Sequence, residues 1–270
     1  KNKMKLVDVH AHLTFERFEE DLEEVIERAR KGGFKIIIAS GVGKKSNREV
    51  LKLSKKYSDI IKASFGIYPV DAVAEMLTEA KDDVTRDLEI FNVEEELEWI
   101  KKNKEECVAI GEVGLDYKMV LPEEARKKQK EIFRKVIDLA KLIKKPLVIH
   151  SRNAESDVLE ILKEENFKNA DLHCFSGNKN LIKKGVGQGL YFSIPAVITR
   201  LEHFKMLVEI VPLTQILTET DAPYLSAELG KRSEPIDVKH TIREIAKIKK
   251  LSEEEVSEQI YQNAKNLLKI

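Results

Sequence analysis

Short runs rich in β-branched residues alternate along the chain with longer stretches in which apolar residues recur every three or four positions. The runs are LVDVHAH, KIIIAS, IKASFGIY, CVAIGEVG, PLVIHS, ADLHCF, GLYFSI and ILTETDA. Stretches such as EEDLEEVIERARKGG and EEARKKQKEIFRKVIDLAKLIKK separate them, charged on one face and apolar on the other, as helices lying on a sheet are. Near-continuous apolar strands joined by helices predict a parallel sheet covered on its outside. A doubly wound sheet would alternate in the same way. Eight units within 270 residues, close to the ~250 typical of the closed barrel, favour the α/β class with one (β/α)8 TIM barrel domain over residues 1–270.

Long connections are expected after the third strand, from Asp71 to Asn92, and after the eighth, from Ala222 to Ile236. Loops at the carboxyl ends of strands often cover an active site. No low-complexity tract or repeat beyond the strand–helix alternation is present. Gly185-Val-Gly-Gln-Gly189 precedes a strand and Gly41-Val-Gly43 is too short to be more than a turn, so neither supports a nucleotide cofactor.

Against this pattern the polar residues inside apolar runs stand out. His10 and His12 lie one residue apart at the end of the first run, and regular alternation would set Asp8 behind them on the same face. Glu112 interrupts the fourth run, His150 closes the fifth, His173 lies in the sixth, and Asp221 ends the eighth. In a barrel these carboxyl ends converge on one mouth, where sites of this fold are built from several strands. Each residue alone has a structural explanation, such as a histidine bonded to a carbonyl. Four imidazoles and two carboxylates at one mouth instead make a ligand set suited to zinc, manganese or a related divalent ion. A single catalytic zinc takes about three protein ligands, so six point to two ions, with Glu112 able to bridge them through its two oxygens. Water held between two cations loses a proton near neutral pH and becomes a nucleophile, which is hydrolytic chemistry. His203 and His240 fall in helical patterns and are expected to be exposed or structural.

Composition limits the rest. Lys+Arg and Asp+Glu balance at 47 each, so the basic surface of a general nucleic-acid binder is missing. That leaves room for an enzyme gripping one strand end in a local pocket. Charged residues make up 35% of the chain, mostly Lys and Glu, a composition associated with proteins of hot environments. Cys107 and Cys174 are the only cysteines; they form no redox or zinc motif and are expected to be buried thiols. No apolar run approaches the ~18 residues of a membrane span, and KNKMKLVDV lacks the pattern of a signal peptide. A cytoplasmic protein is expected, with no membrane association and no obligate protein partner.

The segments HAH, GEVGLDY, PLVIHSR, HCFSG and TETDAPYL, in this order, resemble the TatD family of metal-dependent deoxyribonucleases within the amidohydrolase-like barrels. The resemblance runs from Val7 to the terminal YQNAKNLL. It implies one metal on His10, His12, Glu112 and Asp221, and another on Glu112, His150 and His173. It also implies that Asp221 accepts the proton of the attacking water and that the substrate is DNA, cleaved at phosphodiester bonds, often from the 3′ end of a single strand, with magnesium, manganese or zinc. Family members often carry G-x-H-P-H after the third strand, where this chain reads Gly66-Ile-Tyr-Pro-Val70. Tyr68 and Val70 therefore offer no imidazole there. Tyr117, Arg152, Tyr224 and Arg232 lie just beyond strand ends and are candidates to hold a phosphate or stack on a base. Two other readings use the same residues: a hydrolase of a small amide, lactone or ester, and a non-catalytic metal-stabilised scaffold.

Overall fold

Eight strands, β1 (Leu6–Ala11), β2 (Phe34–Ser40), β3 (Ile61–Phe65), β4 (Ala109–Asp116), β5 (Leu147–Arg152), β6 (Ala170–His173), β7 (Tyr191–Ile194) and β8 (Ile216–Thr218), pair in chain order in the computed structural model, which describes residues 4–77 and 87–270. Every pairing is parallel. A parallel bridge between Ala11 and Ala222 joins the segment after β8 back to β1, so the sheet closes into the expected (β/α)8 barrel. The helices are α1 (Leu22–Gly32), α2 (Lys44–Lys56), α3 (Val93–Lys102), α4 (Glu123–Ile143), α5 (Glu155–Glu164), α6 (Lys179–Gly187), α7 (Glu202–Ile210), α8 (Val238–Lys249) and α9 (Glu253–Leu268). Of the first long connection anticipated, residues 78–86 lie outside the described part.

Alternation along the strands sorts the core into two compartments. Ile37, Ala39, Ile149, Ile194 and Ile216 face outward and pack with the helices. Val7, Val9, Ile36, Ile38, Val148 and Leu217 face the axis, where Ala264, Leu267 and Leu268 of α9 join them. The last helix therefore stops the amino-terminal end of the barrel. Burying one such leucine contributes about 1.5–3 kcal/mol. A capping box sets the start of α9: Ser252 Oγ accepts from the Glu255 N–H, and the Glu255 carboxylate accepts from the Ser252 N–H. No helix among the described residues is long and apolar enough to cross a membrane.

Above the apolar floor the axis turns polar. Ser64 Oγ donates to the Gly111 carbonyl at 2.8 Å, and Ser193 Oγ lies 2.7 Å from Asp171 Oδ2 and 2.9 Å from Glu219 Oε1. Three strand ends close tightly here. A Cβ on Gly66 would stand 2.0 Å from the Gly41 carbonyl and 2.6 Å from the Glu112 nitrogen, so only glycine fits.

Candidate metal centre

Two strand irregularities aim the ligand-type side chains at the axis. The register of β1 against β2 shifts between Asp8 and Ala11, and that of β4 against β5 shifts between Ile110 and Val113. Bulges of this kind re-aim side chains beside active sites. The first one corrects the regular alternation read from LVDVHAH. Asp8 stands opposite Ile37, on the helix side, and its carboxylate binds Thr220 through N–H (3.1 Å) and Oγ1 (2.5 Å). It is therefore a brace across the barrel seam, not a neighbour of the imidazoles. At the same seam the Asp221 N–H donates to the His10 carbonyl at 2.9 Å, and the His12 N–H to the Ala222 carbonyl at 2.7 Å. Closing the barrel is thus what brings Asp221 to His10 and His12.

The six residues meet around Glu112. Its Oε2 lies 3.5 Å from His10 Nε2 and 3.4 Å from His12 Nε2, while its Oε1 lies 2.9 Å from His150 Nδ1 and 3.3 Å from His173 Nε2. Asp221 Oδ1 stands 3.4 Å from His10 Nε2 and 3.3 Å from His12 Nε2. Among the described residues, three groups of donor atoms from this set lie close enough to share an ion. Donors at ~2.0–2.2 Å around a tetrahedral ion stand about 3.4 Å apart, which the spacing near His10 and His12 matches. His10 Nε2 is fully buried without a well-formed hydrogen bond, costly for an empty cavity but apt for a ligand atom.

Each imidazole has its other nitrogen occupied. His10 Nδ1 meets Ser40 Oγ at 3.1 Å and His12 Nδ1 meets the Ser40 carbonyl at 3.2 Å. His150 Nε2 meets Asp116 Oδ2 at 2.8 Å, and His173 Nδ1 meets Glu219 Oε2 at 2.7 Å. Such partners fix which ring nitrogen carries the proton and leave the other as a lone-pair donor. The sequence reading missed Ser40, Asp116 and Glu219. The signal was present for the carboxylates: Glu219, just past β8, lies two residues before Asp221, and Asp116 lies four after Glu112 on β4, even spacings that repeat one face of an extended chain.

Charge in this cluster is balanced within itself. Burial alone would lower the His12 affinity for a proton, but Asp221 and Glu112 outweigh it and raise the pKa to about 9. His150 is raised despite burial by Asp116 and Glu112, and His173 by Glu219 and Glu112. Burial would raise Glu112 and Asp221, but the surrounding imidazoles hold both well below the usual carboxylate range. Carboxylates and imidazoles here thus favour one another's charged forms.

A cavity of about 250 Å³ opens over the cluster, walled also by Phe15, Tyr68, Arg152, Cys174 and Tyr224. Arg152 Nε donates to Asp116 Oδ2 at 3.0 Å and Nη2 to the Tyr68 hydroxyl at 3.2 Å. The Tyr68 ring meets His150 edge-on at 5.1 Å. Of the four candidate substrate contacts, Arg152 and Tyr224 line the cavity. Tyr117 does not: its hydroxyl donates to Asp157 at 2.7 Å and Arg126 covers its ring. Arg232 is likewise turned away, with both terminal nitrogens on Asp21 at 2.7 and 2.6 Å and its plane over Phe18. Local carboxylates claimed both side chains, which strand-end position alone does not reveal. Cys107 is buried, and burial pushes its thiol up to about 12. Cys174 is half-buried on the cavity wall instead of fully buried; burial and Glu219 keep it a neutral thiol. His203 Nε2 pairs with the Phe175 carbonyl at 2.9 Å and His240 is half-buried on α8, both outside the cluster.

Imidazoles and carboxylates gathered at the carboxyl mouth of a (β/α)8 barrel mark the class of metal-dependent hydrolases. Within that class the chain belongs to the TatD family: a sequence model of the family described as TatD related DNase matches residues 7–269. The uncharacterized metal-dependent hydrolase MJ1582 of Methanocaldococcus jannaschii is 38% identical over 260 residues, covering 96% of this chain and 95% of its own. The deoxyribonuclease TATDN3 of Homo sapiens is 34% identical over 265 residues, covering 97% and 94%. In fold, the chain is similar to the crystal structure of YjjV, a TatD homologue from Escherichia coli, with a TM-score of 0.82, 23% identity and 98% of each chain covered.

Proposed function

We propose that this metal-dependent hydrolase cleaves phosphodiester bonds of DNA, working on single-stranded ends. The observation that carries the reading is the division of Glu112, with one oxygen toward His10 and His12 and the other toward His150 and His173. That division suits two ions, one held by His10, His12, Glu112 and Asp221 and the other by Glu112, His150 and His173. Divalent ions there supply Lewis acidity, activating water near neutral pH and offsetting the charge of a phosphate. Asp221, ionised and with its side chain 18% exposed at the cavity, accepts the proton of the attacking water. Arg152 holds a phosphate oxygen, and its link to Asp116 keeps the guanidinium beside His150. Support for DNA comes from the family description and from the human relative's name.

The test is to strip the protein with chelator, restore magnesium, manganese or zinc singly, and follow 3′- and 5′-labelled single-stranded and duplex DNA. Metal-restored shortening from the 3′ end of single strands is the expected result. Turnover of small lactones or amides with DNA left intact would assign the site to the other hydrolase reading.

A further inference from the structure

Three residues beyond His12 the chain places a phenylalanine that packs against the edge of the core and also reaches the cavity. Phe15 sits in the turn after β1, and its ring lies flat against His12, with centroids 4.6 Å apart and planes 12° apart. Tyr224 meets Phe15 edge-on, with centroids 6.3 Å apart and planes at 71°. Both are half-buried and both line the cavity together with Asp221 and Arg152. Two aromatic rings set as a corner, one against a ligand-type imidazole and both beside the candidate phosphate contact, are a wall for something flat. A cavity of ~150 Å³ holds benzene, so about 250 Å³ gives room for one ring system. A nucleobase offers a π-face whatever its sequence, which suits a wall made of two aromatic rings.

We infer that Phe15 and Tyr224 form a subsite that stacks on the one nucleobase next to the phosphate under attack. The inference rests on the DNA reading above and adds that the enzyme grips a base as well as a phosphodiester. The substrate class narrows to nucleoside phosphodiesters. Tyr224 was foreseeable from its place after a strand end; Phe15 is the new member, and the simpler role of covering His12 is what the experiment must separate.

The probes are thymidine 5′-monophosphate and 2-deoxyribose 5-phosphate, which differ only in the base, binding at equilibrium to the metal-loaded enzyme. The expected preference for the nucleotide is about 5- to 140-fold, the worth of one stacked base. Phe15→Leu and Tyr224→Leu should each cut that ratio several-fold, and Phe15→Trp should keep it, with metal content per chain held at the wild-type level in the Phe15 variants. A ratio unchanged in Phe15→Leu, or one lost together with metal, overturns the inference and leaves Phe15 as a cover for His12. A wild-type ratio near one in an enzyme that still shortens DNA overturns the inference alone. No binding of either probe and no DNA cleavage would overturn both.

Discussion

Asp116 Oδ2 lies 2.8 Å from His150 Nε2 and also accepts from Arg152 Nε at 3.0 Å, so one buried oxygen orients both an imidazole of the candidate metal centre and the guanidinium beside it. Burial would raise this carboxyl, but His150 and Arg152 outweigh that and hold it ionised. Asp116→Asn keeps the size and loses the charge. Partners of this kind are worth 10- to 100-fold in metal affinity, on the order of what we expect here. Equilibrium metal binding to the folded variant measures it, and near-native affinity would remove Asp116 from the centre.

Glu112→Ala should cost more bound metal than any single histidine replacement, because both of its oxygens face donor nitrogens. Metal per chain after dialysis is the measurement. Equal retention in Glu112→Ala and His150→Ala would mean that Glu112 serves one ion only.

Metal uptake should be strongly pH-dependent. The His12 pKa is raised to about 9, and His150 and His173 are raised too, so these rings carry protons at neutral pH that a cation must displace. Affinity should therefore rise with pH up to about 9, with protons released on binding, seen as buffer-dependent heats in calorimetry. For the metal-free protein the sign is opposite. A raised folded pKa means that the His12 contribution is complete below its unfolded value near 6.5 and is lost as pH rises through about 9. Metal-free melting temperatures should fall over that window.

Asp221→Asn preserves shape and removes basicity. Hydrolysis at saturating metal should slow by about 10²–10⁴-fold, the usual worth of a positioned base. Turnover near the wild-type rate under those conditions would show that another group takes the proton.

The balance of 47 basic and 47 acidic residues gives no overall positive charge to draw in a polyanion, so affinity for single strands should depend weakly on salt. Two or three phosphate contacts predict a slope of log affinity against log salt of about −1.5 to −2. Binding of a cleavage-resistant oligonucleotide across a salt series, at fixed divalent concentration, tests this. A slope steeper than about −5 would require an extended phosphate track.

Most of the architecture was legible because each strand shows itself by composition and each ligand-type residue interrupts an apolar run. His150 in PLVIHS and His173 in ADLHCF needed no structure to be noticed. Asp8 was misplaced because strand parity assumes an unbroken ladder, and a bulge in β1 has no residue signature of its own. Tyr117 and Arg232 lie outside the cavity lining for a different reason: Asp157 and Asp21, each far along the chain from the residue it holds, bind the two side chains. Phe15 escaped notice because a phenylalanine near a helix reads as core, which it partly is, and only the structure shows its ring also stacked on His12 at the cavity.

The helix that stops the barrel floor follows every strand it covers. During synthesis the inward faces of Val7, Ile36 and Val148 therefore exist for some time without the cover that Ala264, Leu267 and Leu268 supply. Assembly of the floor must wait for α9, and a nascent barrel lacking it presents a greasy opening at the end opposite the metal centre. Loss of that helix would then be felt by the cell as an aggregation hazard rather than as a defect in chemistry.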